Sequence, residues 1–66
     1  MNFGERLKIA RTKKAMSQKE LGDTIGISQS VIHKYEKNLN EPNIANIQTL
    51  ARVLGITTDY LLFGHD

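Results

Sequence analysis

The segment 17–37 constrains the fold more than any other part of this 66-residue chain. Ser17 is followed three residues later by Glu20, a spacing typical of a capping box at the start of a helix. Gly26 comes where that helix is expected to end, because glycine adopts the positive φ of a tight turn at little cost. Ser28 can cap a second helix that continues to the end of the segment. The segment therefore predicts two short helices joined by a tight turn.

The apolar and small residues of this segment occur where a helix-turn-helix unit needs them. Two helices that cross steeply around a tight turn need apolar side chains facing inward from both helices. They also need a small residue where the helices pass close together, and Gly22 occupies that position. The alternative is an ordinary helical hairpin in a small bundle. The inward positions are filled in register by Leu21, Ile25, Ile27, Ile32 and Tyr35.

Three further helices are predicted outside this unit. Asn2 heads a capping-box pattern, so a first helix is expected over about 3–14. Asn43 caps a fourth helix, Gly55 ends it, and Thr57 caps a short fifth helix. The apolar face of the fourth helix is expected to consist of Ile44, Ile47, Leu50, Ala51 and Leu54.

Together these five helices predict one compact all-α domain over residues 1–66. Asn38 is expected to end the third helix in the left-handed conformation, and residues 39–42 are expected to form a loop. The apolar residues are sufficient to close a small core. The predicted core consists of Leu7, Leu21, Ile25, Ile27, Ile32, Tyr35, Ile47, Leu50, Leu54 and Leu61.

The composition argues against several classes of function. The chain has no cysteine, so it carries neither a disulfide nor a thiolate zinc site, as suits a reducing cytoplasm. His33 and His65 are too far apart in sequence to suggest a metal site. No apolar run is long enough to span a membrane, and the first residues lack a secretion signal. Because no catalytic grouping or cofactor motif occurs, we expect a cytoplasmic protein that is not an enzyme and binds no metal or cofactor.

The positive charges are clustered, although the net charge is only +2. Such clusters are consistent with a solvated helix surface and equally with a surface that faces nucleic-acid phosphates. The clustered residues are Arg6, Lys8, Arg11, Lys13 and Lys14 in the first helix, and Lys34 and Lys37 in the third.

Family-typical motifs occur within the segment 17–37 and also in the flanking helices. They are Arg6-Leu7-Lys8, Arg11, Met16 to Leu21, Gly26 to Ser30, Ile32, Tyr35-Glu36, Pro42, Leu50-Ala51, Leu54 to Ile56 and Asp59 to Leu62. In these residues the chain resembles the lambda-repressor-like helix-turn-helix family, which includes Cro, CI and xenobiotic-response-element regulators. The resemblance covers nearly the whole chain and implies a five-helix DNA-binding domain.

Two residues depart from the family pattern. Ala15 follows the first helix where the family usually has glycine, and a left-handed alanine there would cost about 1 kcal/mol. Gly22 occupies a helical position where the family usually has alanine, and glycine there costs roughly 0.5–1 kcal/mol. Both departures predict a domain of modest stability.

The outward face of the third helix is the predicted DNA-reading surface, and it carries Gln29, Ser30, His33 and Lys34. Gln29 is the best candidate for direct base contact, because glutamine can bond adenine N6 and N7 together. Ser30 is less selective. Lys34 can reach guanine or a phosphate. His33 can contact DNA or can be an exposed histidine without a role.

The resemblance implies that Gln18 bonds a phosphate and also braces Gln29. It further implies that Arg11 and Glu36 form an ion pair that fixes the orientation of the third helix and removes Arg11 from the phosphate-facing set. Phosphate contacts position a domain without reading sequence. The predicted phosphate contacts are Gln18, Lys19, Lys37, Asn38 and Asn40.

Two functions are consistent with these residues. The first is a sequence-specific transcriptional regulator, most simply a phage or bacterial repressor that binds a palindromic operator as a homodimer. Ile56, Thr58 and Phe63 are candidates for the dimer surface, or else for core or chain-end packing. The second is an antitoxin or adaptor that uses the same fold to bind a protein. Further domains in a longer protein are compatible with either function.

Overall fold

This computed structural model describes residues 1–65, which contain five α-helices and no strand. This architecture confirms the all-α prediction. The third helix ends one residue earlier than expected, as does the first. The helices are α1 (Phe3–Lys13), α2 (Gln18–Ile25), α3 (Gln29–Glu36), α4 (Ile44–Leu54) and α5 (Thr58–Phe63).

Every helix begins at the predicted cap. In each case the cap side chain accepts a hydrogen bond from the backbone N–H three residues later, which satisfies one of the free donors at a helix start. In α1 and α2 the side chain of a glutamate also accepts a hydrogen bond from the backbone N–H of the cap residue, which completes a capping box. The caps are Asn2, Ser17, Ser28, Asn43 and Thr57.

Left-handed residues follow each of the five helices, and four of them lie at positions singled out in the sequence; the fifth is Gly64, after α5. Gly26 ends α2 with φ 75°, and Gly55 ends α4 with φ 70°. Asn38 lies after α3 with φ 60°, and Ala15 lies after α1 with φ 56°. Glycine and asparagine adopt this conformation at low cost, whereas the Cβ of Ala15 disfavours it. The predicted strain after α1 is therefore confined to Ala15.

The core is built from one fully buried side chain of each helix. Ile25, Ile27 and Ile47 pack against this centre but are only partly buried. Ile44 is 76% exposed, so its assignment to the apolar face of α4 is wrong. It is the first residue of α4, one turn ahead of the partly buried Ile47, and the core ends before it. The central side chains are Leu7, Leu21, Ile32, Leu50 and Leu61.

Arg6 is buried and does not belong to a phosphate-facing surface, contrary to the charge-cluster interpretation. Its guanidinium donates to the carbonyl oxygens of Leu61 and Leu62, at 2.9 and 2.7 Å, and to that of Met1. These acceptors are carbonyls near the end of α5 and at the start of the chain. Arg6 therefore fastens α5 to α1 instead of facing solvent.

The close crossing of α2 and α3 explains the glycine at position 22. A Cβ on Gly22 would lie 2.3 Å from the carbonyl oxygen of Ile27, in the turn that leads into α3. Gly4 has a similar role, since its Cβ would lie 2.2 Å from the carbonyl oxygen of Glu36. These contacts hold α3 against α2 on one side and against α1 on the other. No helix within residues 1–65 has the length and apolar character needed to cross a membrane.

Candidate nucleic-acid interface

The N-terminal part of α3 and the start of α2 line an open depression of about 600 Å³, here called the helix 3 depression. It brings together the four predicted base-contacting residues and one predicted phosphate contact. Ser28, the N-cap of α3, completes its wall. The lining residues are Gln18, Ser28, Gln29, Ser30, His33 and Lys34.

The helical period explains why these side chains face solvent. Ile32, Tyr35 and Glu36 are the buried residues of α3, and they face α1 and α2. Side chains three or four positions apart share a face, so Gln29 and His33 lie together on the opposite side. Both are exposed, as are Ser30 and Lys34. The predicted reading surface is therefore free of packing contacts in this structure.

Arg11 and Glu36 form a buried ion pair between α1 and α3. Arg11 donates from Nε to Oε2 at 2.6 Å and from Nη2 to Oε1 at 3.1 Å, the two-point geometry that strengthens such pairs. The two side chains are 10% and 3% exposed. Arg11 also donates from Nη1 to the carbonyl oxygen of Met16, at 2.8 Å. The pair thus connects α1, the α1–α2 turn and α3.

Gln18 is the first residue of α2, and its side chain bonds to Glu36 instead of Gln29. Its Nε2 lies 3.1 Å from Oε1 of Glu36. Within residues 1–65 no hydrogen bond joins Gln18 to Gln29, so the bracing contact implied by the resemblance is absent in this structure. No sequence pattern predicts the contact with Glu36, because 18 residues separate the partners.

The other predicted phosphate contacts lie outside the helix 3 depression. Lys19 is exposed and pairs with Asp23 at 2.7 Å. The hydrogen bond from Lys19 to Asp23, followed by their charge attraction, raises the pKa of this lysine above its ordinary value. Lys37 is exposed at the C-cap of α3. Neither lysine lines the helix 3 depression.

Asn38 and Asn40 line a separate depression of about 310 Å³, bounded by α1, the loop 39–42 and α5. The side-chain oxygen of Asn38 accepts a hydrogen bond from the backbone N–H of Gly4, at 3.0 Å. This bond satisfies a free donor in the first turn of α1. The Asn38 oxygen is therefore committed to the scaffold in this structure.

The proposed dimer residues differ in exposure. Ile56 and Thr58 are half-buried, and Ile56 packs against the core. Phe63, at the end of α5, is 64% exposed, and its ring stacks on that of His65. The neighbouring Leu62 is also partly exposed. Apolar surface is thus available at the end of α5, while Ile56 belongs mainly to the core.

The interface offers hydrogen-bonding groups and positive charge but no metal cluster. Over the described residues 1–65, no group of three or more potential metal ligands comes together. The helix 3 depression carries amide, hydroxyl, imidazole and ammonium groups. Amides and ammonium groups pair with base edges, and all four groups can bond phosphate oxygens.

Fold and site together define an all-α domain with an exposed helix 3 face on a helix-turn-helix unit. The family model for a helix-turn-helix matches residues 7–61. The chain belongs to this helix-turn-helix family.

Relatives come from bacteria and a bacteriophage. A prophage-derived HTH-type transcriptional regulator of Bacillus subtilis, YonR, is 44% identical over 62 residues, covering 94% of this chain and 57% of the relative. Repressor protein C2 of Salmonella phage P22 is 38% identical over 62 residues, covering 94% of this chain and 29% of the relative. The chain thus spans about half or less of the curated relatives it matches.

Solved structures have the same architecture. The P22 c2 repressor, solved in complex with a synthetic operator, superposes with a TM-score of 0.94 at 35% identity, with 98% of each chain covered. SinR, a master regulator of biofilm formation solved in complex with DNA, gives a TM-score of 0.83 at 30% identity, covering 89% of this chain and 95% of SinR. Both likenesses confirm the predicted fold class.

Proposed function

We propose that this chain is the sequence-specific DNA-binding domain of a bacterial or phage transcriptional repressor, acting in the cytoplasm. The observation that carries the proposal is the helix 3 depression, in which exposed polar side chains of α3 adjoin the start of α2. The P22 c2 repressor has the same fold and binds operator DNA, which supports the proposal. No catalytic step, metal or cofactor forms part of it.

In this proposal α3 enters the major groove with its N-terminal face toward the bases. Gln29 bonds an adenine through its amide oxygen and nitrogen, while Ser30, His33 and Lys34 contact neighbouring base edges or phosphates. The start of α2 lies against a phosphate, because the free N–H groups of a helix N-terminus attract anions. The sugar-phosphate backbone of the DNA, at the edges of this surface, is contacted by Lys19, Lys37, Asn38 and Asn40.

We further propose that two copies bind a palindromic operator. One domain contacts few bases, so useful specificity comes from two half-sites about 34 Å apart, read by the two halves of a symmetric dimer. The exposed end of α5 around Phe63 supports this arrangement, because it offers apolar surface outside the helix 3 depression.

Selection of bound DNA from a random pool tests the proposal. We expect a palindromic consensus, and binding to it that weakens steeply as salt rises. The same selection with the double variant Gln29→Ala, Lys34→Ala should yield no consensus sequence. The melting temperature of this variant should equal that of the wild-type protein. An unenriched pool, or a consensus that survives in the double variant, would contradict the proposal.

The second candidate function, an antitoxin or adaptor that binds protein, makes the opposite prediction. In that case the double variant would keep its cellular activity, since its polar helix 3 face would not be in use. The exposure and polarity of that face favour DNA.

A further inference from the structure

The carboxylate of Glu36 lies where the first three helices meet and accepts three hydrogen bonds. Two come from Arg11, at 2.6 and 3.1 Å. The third comes from the side-chain amide of Gln18, whose Nε2 lies 3.1 Å from Oε1. Glu36 is buried, whereas Gln18 is half-buried and lines the helix 3 depression. One carboxylate thus links the interior ion pair to a side chain of the candidate DNA surface.

This contact fixes which way the Gln18 amide faces. A carboxylate in an ion pair accepts hydrogen bonds and donates none. The amide therefore turns its nitrogen toward Glu36, because the reversed amide would place two oxygens in contact. One Nε2 hydrogen and the Oε1 atom of Gln18 remain for other partners, and residues 1–65 provide none for either. The second Nε2 hydrogen and the Oε1 atom of Gln18 therefore point in defined directions before DNA binds.

We propose that Glu36 is a positioning residue for DNA binding, which holds the Gln18 amide in the single orientation that contacts DNA. The inference rests on the DNA-binding function proposed above. A free glutamine would lose side-chain freedom on binding, and a held one has already lost it, so holding it raises affinity. Arg11 neutralises the carboxylate and thereby limits its repulsion of nearby phosphates.

A double-mutant cycle on DNA affinity tests this inference with Gln18→Met and Glu36→Gln. The DNA is the site selected by the wild-type protein, and the salt concentration is fixed. Each single variant should weaken binding by about fivefold, the size of one hydrogen bond. Arg11 takes the one oxygen that Glu36→Gln retains, so the new NH2 group faces Gln18 and can no longer accept from its Nε2. The double variant should bind about as well as Gln18→Met, because both changes remove the same oriented amide. Losses that simply multiply would overturn the inference, since Glu36 would then act on binding only through the ion pair with Arg11.

Two controls separate positioning from folding. Gln48→Met changes an exposed glutamine of α4 in the same way and should leave affinity unchanged. Binding is compared only below the melting temperature of each variant. If Glu36→Gln does not fold, side-chain amide hydrogen exchange in the wild-type protein decides. One Nε2 hydrogen of Gln18 should then exchange more slowly than those of Gln48, and equal exchange would overturn the inference.

The outcomes also separate this inference from the proposed function. A wild-type protein that selects no DNA would refute the function, and the positioning role with it. A wild-type protein that binds its site, together with multiplying losses in the cycle, would refute the positioning role alone.

Discussion

At the scale of single residues, Glu36 acts through its charge and Ala15 acts through its backbone conformation. Glu36 accepts from both Arg11 and Gln18, so a change there reaches two helices at once. Removing one partner of a buried ion pair leaves an uncompensated charge, which costs about 3–5 kcal/mol. Ala15, by contrast, is exposed and matters for its backbone conformation. These two cases call for different experiments.

Replacing Ala15 with glycine should stabilise the domain. Ala15 has φ 56°, where a Cβ is unfavourable by about 1–2 kcal/mol. Glycine removes this cost but gains entropy in the unfolded chain, so the expected net gain is about 0.5 kcal/mol. Urea unfolding measures the change. Ala45→Gly is the control, because Ala45 lies in α4 and the same substitution should there lower stability. A loss at both positions would contradict the strain argument.

At the scale of helices, the crossing of α2 and α3 depends on how near the two backbones come. The carbonyl oxygen of Ile27 lies 2.3 Å from where a Cβ of Gly22 would be. The backbone N–H of Ile27 also donates to the carbonyl oxygen of Gly22, at 2.8 Å. The resemblance implies alanine at this position, whereas the turn of this chain lies too close to α2 for a Cβ. The glycine is thus a packing requirement and not merely a weak helix former.

The substitution Gly22→Ala should therefore lower stability, although alanine favours helix. A Cβ at 2.3 Å from a backbone oxygen forces the turn to move, and overpacking of this kind costs about 1–3 kcal/mol. Thermal unfolding measures the shift. Gln48→Ala, on the exposed side of α4, should change the melting temperature little. A Gly22→Ala protein that melts above the wild type would show that the turn adapts without cost.

Local chemistry explains which parts of the helical architecture could be predicted. Caps such as Ser17 and stops such as Gly55 act within a few residues, so sequence spacing was enough to locate every helix. The helical period similarly predicts that Gln29 and His33 lie on one exposed face of α3, as the structure has them. Whether these residues contact DNA stays a prediction.

Contacts between distant residues could not be predicted in the same way. The sequence groups Arg6 with surface charges because basic residues are near it in the chain, and only the packing of α5 shows that its donors bond inside the fold. Ile44 fits the apolar period of α4, but the fold leaves it 76% exposed. The bond from Gln18 to Glu36 depends on how α2 meets α3. Each of these depends on tertiary geometry that residue types do not specify.

At the scale of the whole molecule, the helix 3 depression and the exposed end of α5 are formed by different residues. The first carries polar and positively charged groups, and the second carries Phe63 and Leu62. This division supports the proposed function, in which the first surface contacts DNA and the second contacts another copy of the chain.

The substitution Phe63→Ser should weaken binding to a palindrome without weakening binding to one half-site. Phe63 is 64% exposed, so its removal should change stability little. Loss of its apolar contact with a second copy should reduce the preference for the full site by about tenfold. Electrophoretic mobility shifts on full and half sites measure the ratio.

Leu39→Ser is the matched control for Phe63→Ser, because Leu39 is 70% exposed in the loop after α3. It should leave the ratio of full-site to half-site affinity unchanged. An equal drop in both variants would attribute the effect to surface apolarity in general and not to the end of α5.

The bonds of Arg6 to the end of α5 also lead to a prediction about the kinetics of unfolding. Its contact with Leu61 spans 55 positions in the chain, whereas the caps and turns join near neighbours. Closing a loop of this length costs entropy before the contact contributes, so we expect the bonds of Arg6 to be absent from the folding transition state. A contact absent from the transition state affects the unfolding rate only. Arg6→Met should therefore accelerate unfolding in stopped-flow experiments and leave the refolding rate nearly unchanged. This arginine would then determine how long each molecule stays folded, and not how quickly it reaches that state.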